Sequence, residues 1–152
     1  MSVKEDLVNQ MNQAVRSQDK ARLETLRFIL SAVKNKEIEL KKRDEGLKDE
    51  EVIQVVSSMI KQGLDSIEQF KKGGREDLVQ KEEKELVILK SFMPPQFSRE
   101  EVKEIVSKIA KDINAISIKD MGRLMKEVMP KLSGKADGKM VSDVVKEALA
   151  GS

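Results

Sequence analysis

Lys119-Asp-Met-Gly-Arg-Leu-Met-Lys-Glu-Val-Met-Pro-Lys-Leu-Ser-Gly-Lys-Ala-Asp-Gly-Lys-Met-Val141 decides how this chain of 152 residues folds. Met121, Leu124, Met125 and Val128 recur at helical spacing. After a connection punctuated by Gly134 and Gly138, the pattern returns in Met140, Val141, Val144, Val145, Ala148 and Leu149. Two amphipathic helices follow, the first capped by Ser117 and closed by Met129-Pro130, the second with Asp137 as its N-cap. The stretch carries Lys119, Arg123, Lys126, Lys131, Lys135 and Lys139 against only Asp120, Glu127 and Asp137. The amides of Gly138, Lys139 and Met140 would open a helix beside Lys135 and Lys139, which is the outline of a polyanion-binding module.

Upstream, Ser98-Arg-Glu-Glu101 has the form of a capping box and leads into Val102, Ile105, Val106 and Ile109, so a third helix completes a small domain over residues 98–152. Residues 94–97, Pro94-Pro-Gln-Phe97, read as a stiff linker, because the residue before a proline is pushed out of the helical region. Residues 1–93 hold four more helical patterns. One starts at the capping box Ser2-Val-Lys-Glu5 and runs to about Ser17, and the others span 20–42, 51–72 and 76–92. Gly46 and the pair Gly73-Gly74 mark stops, and Glu82 interrupts the apolar stripe of the fourth helix, which is expected to pack less deeply. The predicted fold is all-α: an N-terminal four-helix hairpin bundle plus a small C-terminal three-helix domain.

Composition removes much chemistry. The chain has no cysteine and no histidine, so disulfides, thiolate nucleophiles, the commonest general base and the commonest metal ligand are gone. Neither a catalytic residue nor a metal or other cofactor is expected. Basic and acidic residues number 29 and 27; the first 97 residues are balanced at 18 each, so the small excess lies in the last third. Attraction to nucleic acid must therefore come from local arrangement. No apolar run reaches the length of a membrane span, and Met1-Ser-Val-Lys-Glu-Asp6 lacks the plan of a signal peptide, which gives a cytoplasmic location and no membrane partner as expectations.

Each motif also has a plainer reading. Gly134-Lys135 is no phosphate loop, since Met129 and Ala136 stand where a glycine and a hydroxyl are needed. Gly134 can be a turn residue alone. Gly122 inside a helix costs about 1 kcal/mol relative to alanine. Close helix packing is the usual reason for such a residue, and approach of a nucleic-acid backbone is the other. Phe28, Phe70, Phe92 and Phe97 read as core or staple residues, and without Trp or Tyr the chain lacks stacking platforms for single strands. Met121, Met125, Met129 and Met140 read as core fillers.

The stretch 119–141 resembles the signature of the GatB/YqeY family. Gly73-Gly-Arg-Glu-Asp-Leu78 and Leu89-Lys-Ser-Phe-Met-Pro-Pro-Gln96 are similar to the free-standing YqeY-like proteins. The related segment is the C-terminal tail of the B subunit of the glutamine-dependent aspartyl/glutamyl-tRNA amidotransferase. The resemblance implies a two-part helical fold whose small domain recognises tRNA, with a family-level link to carbon–nitrogen ligase activity using glutamine as amido-N-donor. The catalytic cradle of that B subunit has no counterpart in this length of chain. The expectation is a non-catalytic tRNA-binding module in which the six cations named above contact phosphates and Gly122, Gly134 and Gly138 allow close approach. The alternative is a helical adaptor whose N-terminal helices bind a protein partner or a second copy.

Overall fold

The computed structural model describes residues 2–150 and is all-α, with no strand among the described residues. Met1 and Gly151-Ser152, inside the expected domain bounds, lie outside the described residues. Two compact units divide the chain, Met1–Met93 and Pro94–Ser152. The first contains α1 (Val3–Arg16), α2 (Lys20–Glu39), α3 (Asp49–Lys72) and α4 (Glu76–Lys90). The second contains α5 (Arg99–Asp112), a 3-10 turn (Ile118–Asp120), α6 (Met121–Leu132) and α7 (Gly138–Ala150).

Local chemistry sets the helix ends. Glu5 N–H donates to Ser2 Oγ at 3.1 Å while Ser2 N–H donates to Glu5 Oε2 at 3.1 Å, and Ser98 with Glu101 repeats the box at α5. Helices α1, α2, α3 and α5 end alike. The amide two residues past the cap reaches back to a carbonyl five residues before it: Asp19 to Ala14, Lys42 to Glu37, Arg75 to Phe70 and Ala115 to Ala110. The residue between swings left-handed. At α3 it is Gly74, but at the other three it is Gln18 (φ 57°), Lys41 (φ 58°) and Asn114 (φ 55°). That closure explains why α2 stops at Glu39 rather than continuing to residue 42.

In the first unit α1 packs on α2 and α3 on α4, and contacts of α1 with α3, α2 with α3 and α2 with α4 join the pairs. Leu7, Leu26, Ile29, Val33, Val52, Val56, Val79, Leu86 and Leu89 form the core. Glu82 does not hold α4 away from it. Gly63 of α3 lets α4 approach so closely that a Cβ there would lie 3.1 Å from Leu86 Cδ2. Phe70 and Phe92 join this core, but Phe28 does not: it is 54% exposed, contrary to its expected core role, because it faces outward from α2.

The first unit also buries a charge. Glu37, 4% exposed, accepts from the Lys4 ammonium at 3.0 and 2.9 Å and from the Leu47 N–H at 3.0 Å. These bonds tie the start of α1 and the loop after α2 to one carboxylate. Its pKa is lowered, first by the hydrogen bond from Lys4 and then by that from Leu47, against the opposing effect of burial.

In the second unit α5, α6 and α7 pack on one another around Val102, Val106, Leu124, Val128, Leu132, Val141, Val145 and Leu149. Met121, Met125, Met129 and Met140 pack half-buried against this core, as does Phe97. Pro130 does not close α6. It lies inside the helix on the exposed side, two residues before the end, where its missing N–H costs one bond and the burial of Leu132 holds the last turn. Pro94, Pro95, Gln96 and Phe97 belong to this unit. Phe97 N–H donates to the Lys135 carbonyl at 2.8 Å, and Gln96 Nε2 donates to the Gly134 carbonyl at 2.8 Å.

Candidate nucleic-acid interface

The register of α6 sorts its residues. Leu124, Val128 and Leu132 follow at i, i+4 and i+8 and are buried, while Gly122, Lys126 and Pro130 follow at the same spacing and are exposed. A Cβ built at Gly122 meets nothing within 4 Å. Close helix packing, the usual reason for a glycine there, is thus not what the structure shows; Gly122 itself is open to solvent.

Lys119, Lys126, Lys131, Lys135 and Lys139 are all exposed, and none forms an ion pair with a described residue. Lys119 lies in the 3-10 turn before α6, Lys126 and Lys131 on α6, Lys135 in the α6–α7 turn and Lys139 in the first turn of α7. Even Glu127, one turn before Lys131, leaves that lysine without an ion pair. Lys146, seven residues after Lys139, is exposed on the same face of α7 and was not among the expected cations; the i, i+7 spacing is the signal that marks it.

Arg123 differs from the lysines. Its guanidinium donates to the Ile113 carbonyl at 2.8 Å, the Asn114 carbonyl at 3.3 Å and Asp120 Oδ1 at 3.2 Å. Asp120 in turn accepts from the Ile116 N–H at 2.9 Å and the Ser117 N–H at 3.3 Å. Its carboxyl is held below the usual carboxylate range, first by the Ile116 amide, then by the Ser117 amide, with Arg123 adding to both. Of the six expected cations, Arg123 is therefore engaged in fastening the loop between α5 and α6.

Gly134 adopts φ 75°, the left-handed conformation its turn needs. Gly138 opens α7, and a Cβ there would touch only Met129 Cε at 4.0 Å. Asp137 stands directly before α7, and its carbonyl accepts the Val141 N–H at 3.0 Å. No group of three acidic, histidine or cysteine side chains could hold a metal among the described residues, and no helix is long and apolar enough to cross a membrane.

A family model described as Yqey-like protein matches residues 4–149. Proteins called "Altered inheritance of mitochondria protein 41, mitochondrial" are similar. The one from Kluyveromyces lactis is 39% identical over 109 residues, covering 70% of this chain and 58% of its own. That from Lachancea thermotolerans is 31% identical over 131 residues, covering 86% and 68%, and that from Vanderwaltozyma polyspora 33% over 126 residues, covering 83% and 66%. The chain thus spans about three-fifths to two-thirds of these relatives. Their names correct the expected cytoplasmic location. That expectation rested on a missing signal-peptide plan and membrane span, neither of which distinguishes one aqueous compartment from another.

Proposed function

The chain belongs to the YqeY-like family, and on that premise we propose that its second unit is a non-catalytic module that binds folded RNA, with tRNA as the ligand. One observation carries the reading: five exposed lysines without ion-pair partners among the described residues accompany an exposed glycine, Gly122, in the first turn of α6. Lysines on phosphates supply affinity that scales with counterion release, and an uncovered glycine lets a sugar–phosphate backbone come close. The surface offers charge and shape in place of a nucleophile with its base. The resemblance to the amidotransferase tail extends the proposal to glutamine-dependent transamidation, in which this chain holds tRNA and the carbon–nitrogen ligase chemistry belongs to other subunits.

Binding of a tRNA transcript to the full chain over a salt series tests this. Lys135→Ala with Lys139→Ala flattens the log–log salt slope by roughly 0.7–0.9 for each phosphate no longer neutralised. An unchanged slope and affinity refutes the assignment.

A second reading, a protein partner held by the N-terminal helices, is favoured by the exposed Phe28. It borders a groove of about 400 Å³ between α2, α3 and α4, lined also by Met59, Leu89, Glu82 and Glu85. The Glu85 carboxyl is pushed up by its partial burial and by the neighbouring Glu82. Sedimentation of the full chain and of Phe28→Ser tests the self-association form; identical behaviour of the two as monomers removes it.

A further inference from the structure

Two large apolar side chains of the second unit, Ile116 (71%) and Ile118 (54%), are exposed among its described residues, and both lie in the loop before α6. Isolated apolar residues on a surface need no explanation, but this loop is built. Arg123 takes the carbonyls of Ile113 and Asn114, and Asp120 takes the amides of Ile116 and Ser117. Asp120 N–H returns to the Ser117 carbonyl at 2.9 Å, and Asn114 is set left-handed at φ 55°. With these backbone groups satisfied within the protein, the side chains the loop leaves exposed are those of Asn114, Ile116, Ile118 and Lys119, and the two isoleucines are its large apolar ones.

We propose that Ile116 and Ile118 form a rigid apolar seat for an uncovered nucleobase face of the RNA, with Arg123 and Asp120 as its positioning residues. The inference rests on the RNA-binding reading and adds what part of the RNA is read besides phosphate. The choice of occupant follows from charge. Exposed Lys119 directly follows Ile118, and exposed Gly122 and Lys126 stand four and eight residues after that isoleucine, so positive charge accompanies the isoleucines along the chain and suits an apolar ligand attached to a polyanion. A nucleobase face answers that description, being flat and apolar while its own backbone carries phosphate. Within a duplex such faces are covered by neighbours, so the seat selects the end of a stack or an extruded base, as folded RNA presents in its loops and corners. The chain has no Trp or Tyr, and aliphatic surface is what this unit offers to a base. Fixing the loop beforehand avoids an ordering cost on binding.

The test uses the full chain, an unmodified tRNA transcript and inorganic polyphosphate, each titrated at several salt concentrations. Ile116→Ser with Ile118→Ser weakens tRNA binding about tenfold at every salt concentration, the scale of a single unseated base, and leaves the salt slope parallel to wild type. Polyphosphate, which has no bases, binds both proteins equally. Arg123→Lys keeps the charge but loses the fork across two carbonyls. It brings a comparable loss, and combined with the isoleucine pair it adds little. Circular dichroism melts accompany each variant, and both isoleucines are exposed enough that folding persists. If the isoleucine pair leaves tRNA affinity unchanged while the Lys135 and Lys139 pair still flattens the slope, RNA binding stands and the seat is wrong. An equal loss toward polyphosphate also overturns the seat. Wild-type protein that binds no tRNA overturns the RNA reading and the seat together.

Discussion

Replacing Lys4 by Met isolates the buried carboxylate of Glu37. Glu37 receives three hydrogen bonds, two from the ammonium and one from the Leu47 amide, and Lys4→Met removes the first two while leaving the side chain 4% exposed in place. Breaking a fully buried pair in this way costs roughly 3–5 kcal/mol. The Lys4 side chain, however, is 34% exposed, so water can reach part of the vacated space and the expected cost falls to about 2–3 kcal/mol. The Leu47 amide keeps its acceptor. Glu37→Leu, in contrast, orphans that amide, which alone costs about 1–3 kcal/mol, while Lys4 turns to solvent. The double replacement should cost less than the two single losses together, since no buried charge then lacks its partner.

The pH dependence has a fixed sign. The folded-state pKa of Glu37 is depressed, so the pair's contribution is full above the ordinary carboxylate value of about 4.3 and disappears as pH falls through the lower folded value. Urea unfolding followed by circular dichroism at pH 7, 5, 4 and 3 measures it. The gap between wild type and Lys4→Met should be full at pH 7 and narrow as pH falls through the carboxylate range, because a protonated Glu37 no longer needs the ammonium. A gap under about 0.5 kcal/mol at pH 7, or one that persists unchanged at pH 3, refutes the reasoning.

Gly122→Ala has two opposed consequences: the helix gains about 0.5–1 kcal/mol, because the added Cβ meets nothing, and tRNA affinity falls if a backbone approaches there; melts and binding titrations read each. Lys41→Gly relieves a left-handed side chain at the close of α2 and should stabilise by about 0.5–1 kcal/mol in urea titrations. Gly63→Leu forces several atoms into the Leu86 contact between α3 and α4 and should cost about 1–3 kcal/mol, with a lowered urea midpoint as the readout.

The helices themselves were legible from apolar spacing and from Ser2 and Ser98, because capping boxes are local and their chemistry repeats. The end of α2 was not, nor were the left-handed residues Gln18, Lys41 and Asn114 that close α1, α2 and α5. Their left-handed turns are enforced by amides that reach back into the last helical turn, and nothing in a glutamine or a lysine announces that role. Pro130 misled for a related reason, since the rule against interior proline concerns a missing bond and a clash that the last turn of α6 can absorb while Leu132 stays buried. The lysines of the candidate interface were visible as a local charge excess. Arg123 could not be separated from them in the sequence, because its partners at Ile113 and Asn114 are carbonyls, which every residue has. Glu37 and Lys4 lie 33 residues apart, and no pattern along the chain joins them. Phe28 shows the opposite failure, an apolar residue at an acceptable spacing that the bundle leaves outside.

The bonds from Gln96 and Phe97 to Gly134 and Lys135 have a mechanical meaning. The peptide through which the polypeptide enters its second unit is moored to the turn that bears Lys135, and the Pro94-Pro95 pair just before it is too stiff to absorb slack. Whatever seizes that turn therefore pulls on the doorway as well, and tension arriving through the doorway reaches the turn before it reaches any helix.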